Sequence, residues 1–250
     1  MKRKLLAVFA HPDDEAFGPG GTLVKYASEG VEIHLLCATR GEAGKNNIKD
    51  QRSKIKNTDK ILKLENIREK ELINSAKVLG VAKVEFLDFV DGTLCNANYH
   101  QLADKIANKI NSFRPKVILT LDRLGISGHL DHIAVSLTTT YSFLKTNVSQ
   151  KLYYQCMLSE NREKELDNYF IYFPEGYDKT DITTRIDWGE YWDKKVQAMK
   201  QHQSQTHDVE RILKRIVKQK HIDYFILQHY RGLTPKFTEM DLFEGLTDCC

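Results

Sequence analysis

The sequence predicts an α/β protein in which a mostly parallel sheet is covered by helices on both faces, with a C-terminal elaboration. Three observations predict it. Short apolar runs of strand length alternate with amphipathic stretches of helical period as far as Leu121. The first run, Leu5 to Ala10, is apolar at every position, as befits a strand buried on both faces. Acidic side chains, histidines and glycines gather where the runs end, and in open parallel sheets that is the edge at which ligands bind. The pattern is Rossmann-like.

Taken in order, Leu5 to Ala10 empties into His11-Pro12-Asp13-Asp14-Glu15, and Gly18-Pro19-Gly20-Gly21 follows, so the strand cannot continue. A helical stretch from Leu23 to Glu29 stops at Gly30, and Val31 to Ala38 is a second strand, completing a βαβ unit. Thr39-Arg40-Gly41-Glu42 puts polar groups at the same sheet edge. From Lys45 to Lys70 the chain is crowded with charge and reads as a solvated flap with a weak helical stripe. Leu72, Ala76 and Leu79 form a helical face closed by Gly80, and Val84 to Leu87 is a strand that exits at Asp88 to Gly92. Leu102, Ile106, Ile110 and Phe113 recur at helical spacing until Pro115, and Val117 to Leu121 is the fourth strand. It leads into Asp122 to His132 and a helix through Ala134, Leu137 and Tyr141. Lys151 to Met157 and Tyr169 to Phe173 read as further strands, Tyr191 to Gln201 and Val209 to Lys220 as helices, and Asp223 to Leu227 as an edge strand.

With 250 residues, 41% of them hydrophobic, the chain can bury a full core, and residues 1–250 read as a single domain. A net charge of +3, widely dispersed, gives no nucleic-acid footprint. The five cysteines are odd in number and lack ligand-like spacing, so they read as reduced intracellular thiols. Met1-Lys2-Arg3-Lys4 before Leu5 resembles the start of a signal peptide, but the apolar run is too short and no cleavage site follows. No segment approaches the ~18 apolar residues of a membrane span. The expectation is a cytoplasmic protein with no nucleic-acid partner and no membrane span; a homo-oligomer is compatible with the sequence.

His11 to Glu15 alone reads equally as a capped helix start or as a metal motif. His129-Leu130-Asp131-His132, at a matching strand exit, tips the balance. His11, Asp14 and His132 make a set of two histidines and one carboxylate, and three protein ligands with an open position suit a catalytic Zn²⁺, with Fe²⁺ as an alternative. Asp13, beside ligand Asp14, is the candidate base for a water attacking an amide carbonyl. His129 is placed to stabilise the oxyanion and protonate the amine, with Asp131 accepting its second ring proton. A metallo-β-lactamase motif would need histidine at Ser127 and a β-sandwich, and a helical His-Asp phosphohydrolase would need an all-α pattern; both fail.

These residues resemble the PIG-L/LmbE-like zinc-dependent de-N-acetylases. The resemblance rests on Ala10-His11-Pro12-Asp13-Asp14-Glu15, Thr39-Arg40-Gly41-Glu42, Arg68-x-x-Glu71-Leu72, Gly80-Val81, Asp91-Gly92, His129-x-Asp131-His132 and Lys195-x-x-Ala198 leading to His202-x-Ser204-Gln205. It implies zinc on His11, Asp14 and His132, Asp13 as general base, and His129 as stabiliser and acid oriented by Asp131. It further implies that Arg68 and Asp91 contact hydroxyls of an N-acetylglucosamine ring. Leu130 stands where members, which commonly read His-Pro-Asp-His, carry proline, and Ser127 near where some carry a tyrosine that polarises the acetyl carbonyl. The activity implied is removal of acetyl from a small-molecule N-acetylglucosamine-type conjugate, with acetate and a free amine as products. A hydrolase of another acyl amide is the nearest alternative. A non-catalytic sugar- or metal-binding module would have no use for Asp13, His129 and Asp131.

Overall fold

Strand β1 (Lys4–Phe9) runs through the middle of the molecule because its side chains from Leu5 to Phe9 are all apolar and all buried. The computed structural model describes residues 2–44, 63–96, 99–162, 172–232 and 234–246. Most of the charged flap expected from Lys45 to Lys70 lies outside them. β1 pairs in parallel with β2 (Glu32–Thr39) on one side and β4 (Val117–Leu121) on the other. β3 (Lys83–Phe89) extends the β2 side and β5 (Lys151–Cys156) the β4 side, again in parallel. Two antiparallel pairings, β5 with β7 (Ile222–Tyr230) and β7 with β6 (Thr184–Asp187), complete a seven-stranded sheet of order β3-β2-β1-β4-β5-β7-β6.

Because side chains alternate across a strand, β1 feeds two cores. Leu5, Ala7 and Phe9 face α2 (Gly20–Ser28), α3 (Leu64–Leu79), α7 (Trp192–Met199) and α8 (Thr206–Ile216) through Leu23, Leu72, Met199 and Ile212. Leu6, Val8 and Ala10 face α4 (Tyr99–Phe113) and α6 (Leu130–Lys145) through Ile106, Ile110, Val135 and Phe143. Two one-turn helices, α1 (Asp14–Phe17) and α5 (Gly125–Gly128), sit at the exits of β1 and β4. No described helix is long and apolar enough to cross a membrane.

Two strand expectations change. Asp223 to Leu227 belongs to a longer strand that is interior, because β6 pairs along its outer side. At four residues, Thr-Arg-Ile-Asp is too short and too polar to announce itself as a strand. Of the strand expected over Tyr169 to Phe173, residues 169–171 lie outside the described residues, and Tyr172 and Phe173 carry no strand.

Beyond β5, the C-terminal segment is anchored by an ion pair inside the protein. Lys151 Nζ donates to Glu239 Oε1 at 2.6 Å and to the Glu244 carbonyl at 2.7 Å, and the Tyr153 hydroxyl donates to Glu239 Oε2 at 2.5 Å. Lys151 and Glu239 are both essentially inaccessible.

The chain leaves β1 toward β2 and β3, then crosses back to β4. Strand order therefore reverses between β1 and β4, and a crevice opens at their carboxyl ends.

Candidate metal and catalytic site

Both motif loops open into that crevice. β1 delivers His11, Asp13 and Asp14; the loop after β4 and the first turn of α6 deliver His129, Asp131 and His132. His11 Nδ1 lies 3.1 Å from His132 Nε2, which is 3.2 Å from Asp14 Oδ1, and Asp14 Oδ2 is 3.9 Å from His11 Nδ1. Ligands around a tetrahedral zinc, at bond lengths near 2.05 Å, stand about 3.3 Å apart, so this donor set fits such an ion.

The opposite ring nitrogens support the fit. His11 Nε2 donates to Asp91 Oδ1 at 2.9 Å and lies 3.3 Å from Asp131 Oδ2; His132 Nδ1 donates to the Gly125 carbonyl at 3.0 Å. Each imidazole thus has a protein acceptor for one N–H and turns its other nitrogen to the same point, the arrangement that favours a metal-binding tautomer. Asp14 Oδ2 also accepts the amides of Ala10 and His11 at 3.1 and 2.9 Å, which locks its carboxylate across the end of β1. His11 additionally belongs to two groups of ligating atoms within 4.8 Å, one with His129 and His132, the other with Asp91 and Asp131. In the second group Asp131 accepts the amides of Gly92 and Leu94, and Asp91 the amide of Ala43, so those carboxylates form a supporting layer behind His11.

The electrostatics describe a pocket with negative excess. Burial disfavours the charged ring of His11, yet the carboxylates of Asp131, Asp91 and Asp14 raise its pKa to about 10. Burial alone would raise Asp14, but His132 and His11 hold it well below the usual carboxylate range. Burial pushes Asp13 up to about 6 against the pull of the Arg68 guanidinium. His129 is pressed down to about 4 by burial and by the neighbouring His11 and His132 rings. Its Nδ1 accepts the Asp131 amide at 3.2 Å, capping α6 and leaving the N–H on Nε2.

A family model described as PIG-L, GlcNAc-PI de-N-acetylase, matches residues 6–142. The chain belongs to this family. Among PIG-L relatives, the 1D-myo-inositol 2-acetamido-2-deoxy-alpha-D-glucopyranoside deacetylase of Actinosynnema mirum is 31% identical, over 81% of this chain and 80% of its own length. The probable N-acetyl-alpha-D-glucosaminyl L-malate deacetylase 2 of Bacillus cereus is 30% identical, over 82% of this chain and 85% of its own. Among solved structures, GalB, the 4-carboxy-2-hydroxymuconate hydratase of Pseudomonas putida KT2440, aligns with a TM-score of 0.69 at 18% identity, over 93% of this chain and 98% of its own; that likeness speaks for the fold alone.

Three roles implied by the PIG-L resemblance look different in the structure. The Asp131 carboxylate turns to His11 and the amides of Gly92 and Leu94, while it is the Asp131 backbone N–H that meets His129. Starting α6 at Leu130 makes His129 its N-cap and points the Asp131 side chain back toward β1. Asp91, expected at a sugar hydroxyl, is buried behind His11. Arg68, expected likewise, is 4% exposed and lies beneath the motif loop, donating to Asp13 Oδ2 at 2.8 Å, the Pro12 carbonyl at 2.6 Å and the Gly41 carbonyl at 2.9 Å.

By its place in the motif, the most that is expected of Glu15 is support of the turn or of its neighbours' orientation. The structure shows what that support is: Glu15 Oε2 accepts the Asp13 amide at 3.0 Å, and Oε1 accepts the Ser75 hydroxyl at 2.5 Å and His202 Nε2 at 2.7 Å. The one available signal was the spacing of Arg68, Glu71 and Ser75, which share a helix face and are all buried. Three buried polar side chains on one face need partners, and here these are Asp13, Ser204 and Glu15.

Proposed function

We propose that this PIG-L family member is a zinc-dependent deacetylase that removes the N-acetyl group from an N-acetylglucosamine-type conjugate, giving acetate and a free amine. The observation that carries the reading is the convergence of His11 Nδ1, His132 Nε2 and the Asp14 carboxylate within 3.1–3.9 Å, with a second carboxylate, Asp13, next in the chain. His11, Asp14 and His132 would hold the metal; Fe²⁺ is compatible with the same donors. When bound, the ion supplies Lewis acidity to the acetyl carbonyl and the attacking water.

The chain's own groups carry the protons and the charge. Asp13, held by Arg68, takes a proton as water adds to the carbonyl carbon. His129, whose tautomer keeps the N–H on Nε2, donates a hydrogen bond to the developing oxyanion. Asp13 then returns its proton to the amine nitrogen as the C–N bond breaks, which restores the carboxylate and balances the reaction. His129 therefore serves as donor, and the acid role falls to Asp13. Asp91 and Asp131 hold His11 in the ligating tautomer. The free thiols of Cys37, Cys95 and Cys156 support a cytoplasmic setting.

The test is metal analysis together with amine release from a panel of N-acetylglucosamine conjugates, comparing wild type with Asp13→Ala. One metal per chain, amine release by wild type and loss of at least about a hundredfold in the variant are expected. If no conjugate yields amine, or Asp13→Ala equals wild type, the reading is wrong.

A further inference from the structure

From the last third of the chain, His202 reaches the loop that carries Asp13 and Asp14. Its Nε2 donates to Glu15 Oε1 at 2.7 Å, both side chains are sealed from solvent, and the other Glu15 oxygen accepts the Asp13 amide at 3.0 Å. We infer that His202, acting through Glu15, is a positioning residue for Asp13. This rests on the reading of Asp13 as the general base.

Asp13 needs such a device. Its backbone sits at φ +122°, ψ −26°, a region that side-chain-bearing residues rarely adopt, while its carbonyl accepts the amides of Ala16 and Phe17 that start α1. A residue held there persists only where its surroundings over-determine it. The Glu15 carboxylate holds the amide and Arg68 holds the carboxylate, so the two clamps together fix both the backbone and the side chain of the base.

Glu15 in turn sits on a helix of one turn, which cannot hold a buried carboxylate by itself. Its anchors come from distant sequence: Ser75 on α3, and His202 just past α7. His202 is itself fixed, because the Ser204 amide and hydroxyl donate to Glu71 Oε1 and Oε2 at 2.7 and 2.6 Å. Glu71 lies one turn from Arg68 on α3. One helix therefore carries both the residue that grips the Asp13 carboxylate and the residue that seats the His202 segment.

The experiment compares His202→Leu, which removes the donor, with His202→Gln, whose amide can replace Nε2–H. For His202→Leu, kcat falls about ten- to a hundredfold with KM within about threefold and metal content unchanged; His202→Gln stays within about threefold of wild type. On an Asp13→Ala background, His202→Leu has less than about a twofold further effect, since its target is gone. In the metal-free protein the Asp13 amide exchanges at least about tenfold faster in His202→Leu than in wild type or His202→Gln. If His202→Leu does not fold, Glu15→Gln, of equal volume, carries the same comparison. Equal activity of His202→Leu and wild type, a loss confined to KM, a parallel loss of metal, or a full further loss on the Asp13→Ala background overturns the inference. An Asp13→Ala variant as active as wild type sinks instead the general-base reading on which it rests.

Discussion

Arg68 separates two accounts of the site, because a sugar contact and a support for Asp13 respond differently to the same substitution. In Arg68→Met the stem is replaced at similar bulk and the guanidinium is lost. Three hydrogen bonds go with it, to Asp13 Oδ2, the Pro12 carbonyl and the Gly41 carbonyl, and the Asp13 carboxylate is left without its cation. Breaking a buried pair on one side costs about 3–5 kcal/mol; with the Asp13 side chain still 16% exposed, a loss near 3 kcal/mol is expected. Catalytically, kcat falls about ten- to a hundredfold while KM changes little, because what is lost is the placement of the base. Urea unfolding reads the first quantity and initial rates of amine release read the second. A variant of wild-type stability whose defect lies wholly in KM would refute the reasoning and return Arg68 to the substrate.

Removing the metal by dialysis against a chelator abolishes amine release, and zinc restores it; activity that survives verified metal loss rules out the ligand assignment. Lys151→Met leaves Glu239 buried without its cation and lowers stability by about 3–5 kcal/mol, whereas Lys151→Met combined with Glu239→Leu recovers most of the loss in urea unfolding. Gly41→Ala forces a side chain into φ +70° and against the Arg68 guanidinium, so stability drops by about 1–3 kcal/mol and kcat falls with it. Burial works against charge on His202, but Glu15 and other carboxylates raise its pKa above the ordinary histidine value. A raised pKa contributes stability that is complete at pH below the unfolded value and is lost as pH rises through the folded one, so as pH rises above the ordinary histidine value wild type loses more stability than His202→Gln. Parallel curves for the two proteins contradict that assignment.

How much was legible follows from which contacts are local. The strands from Leu5 to Leu121 and the helices between them were readable because burial imposes a period on the sequence itself, whether 2 or 3.6. His11, Asp13 and Asp14, and His129 with His132, were readable because each group sits within five residues at a strand exit, and the fold class alone brings such exits to one edge. β6 was not readable, since four residues carry no period, and β7 was misplaced at the edge for the same reason.

The sequence by itself determined the α/β class, the two half-sites and the residue types able to hold a metal and move a proton. Only the tertiary structure decided that the half-sites meet at the β1–β4 switch point, with His11 Nδ1, His132 Nε2 and the Asp14 carboxylate oxygens approaching to 3.1–3.9 Å. It alone decided that Arg68 and Asp91 stand behind Asp13 and His11, that Asp131 serves His11, and that His202 reaches Glu15 across 187 residues. The physical reason is one of range. Periodicity and motif spacing are set by neighbours along the chain, whereas a buried polar group must find its partner wherever packing brings one within hydrogen-bond reach.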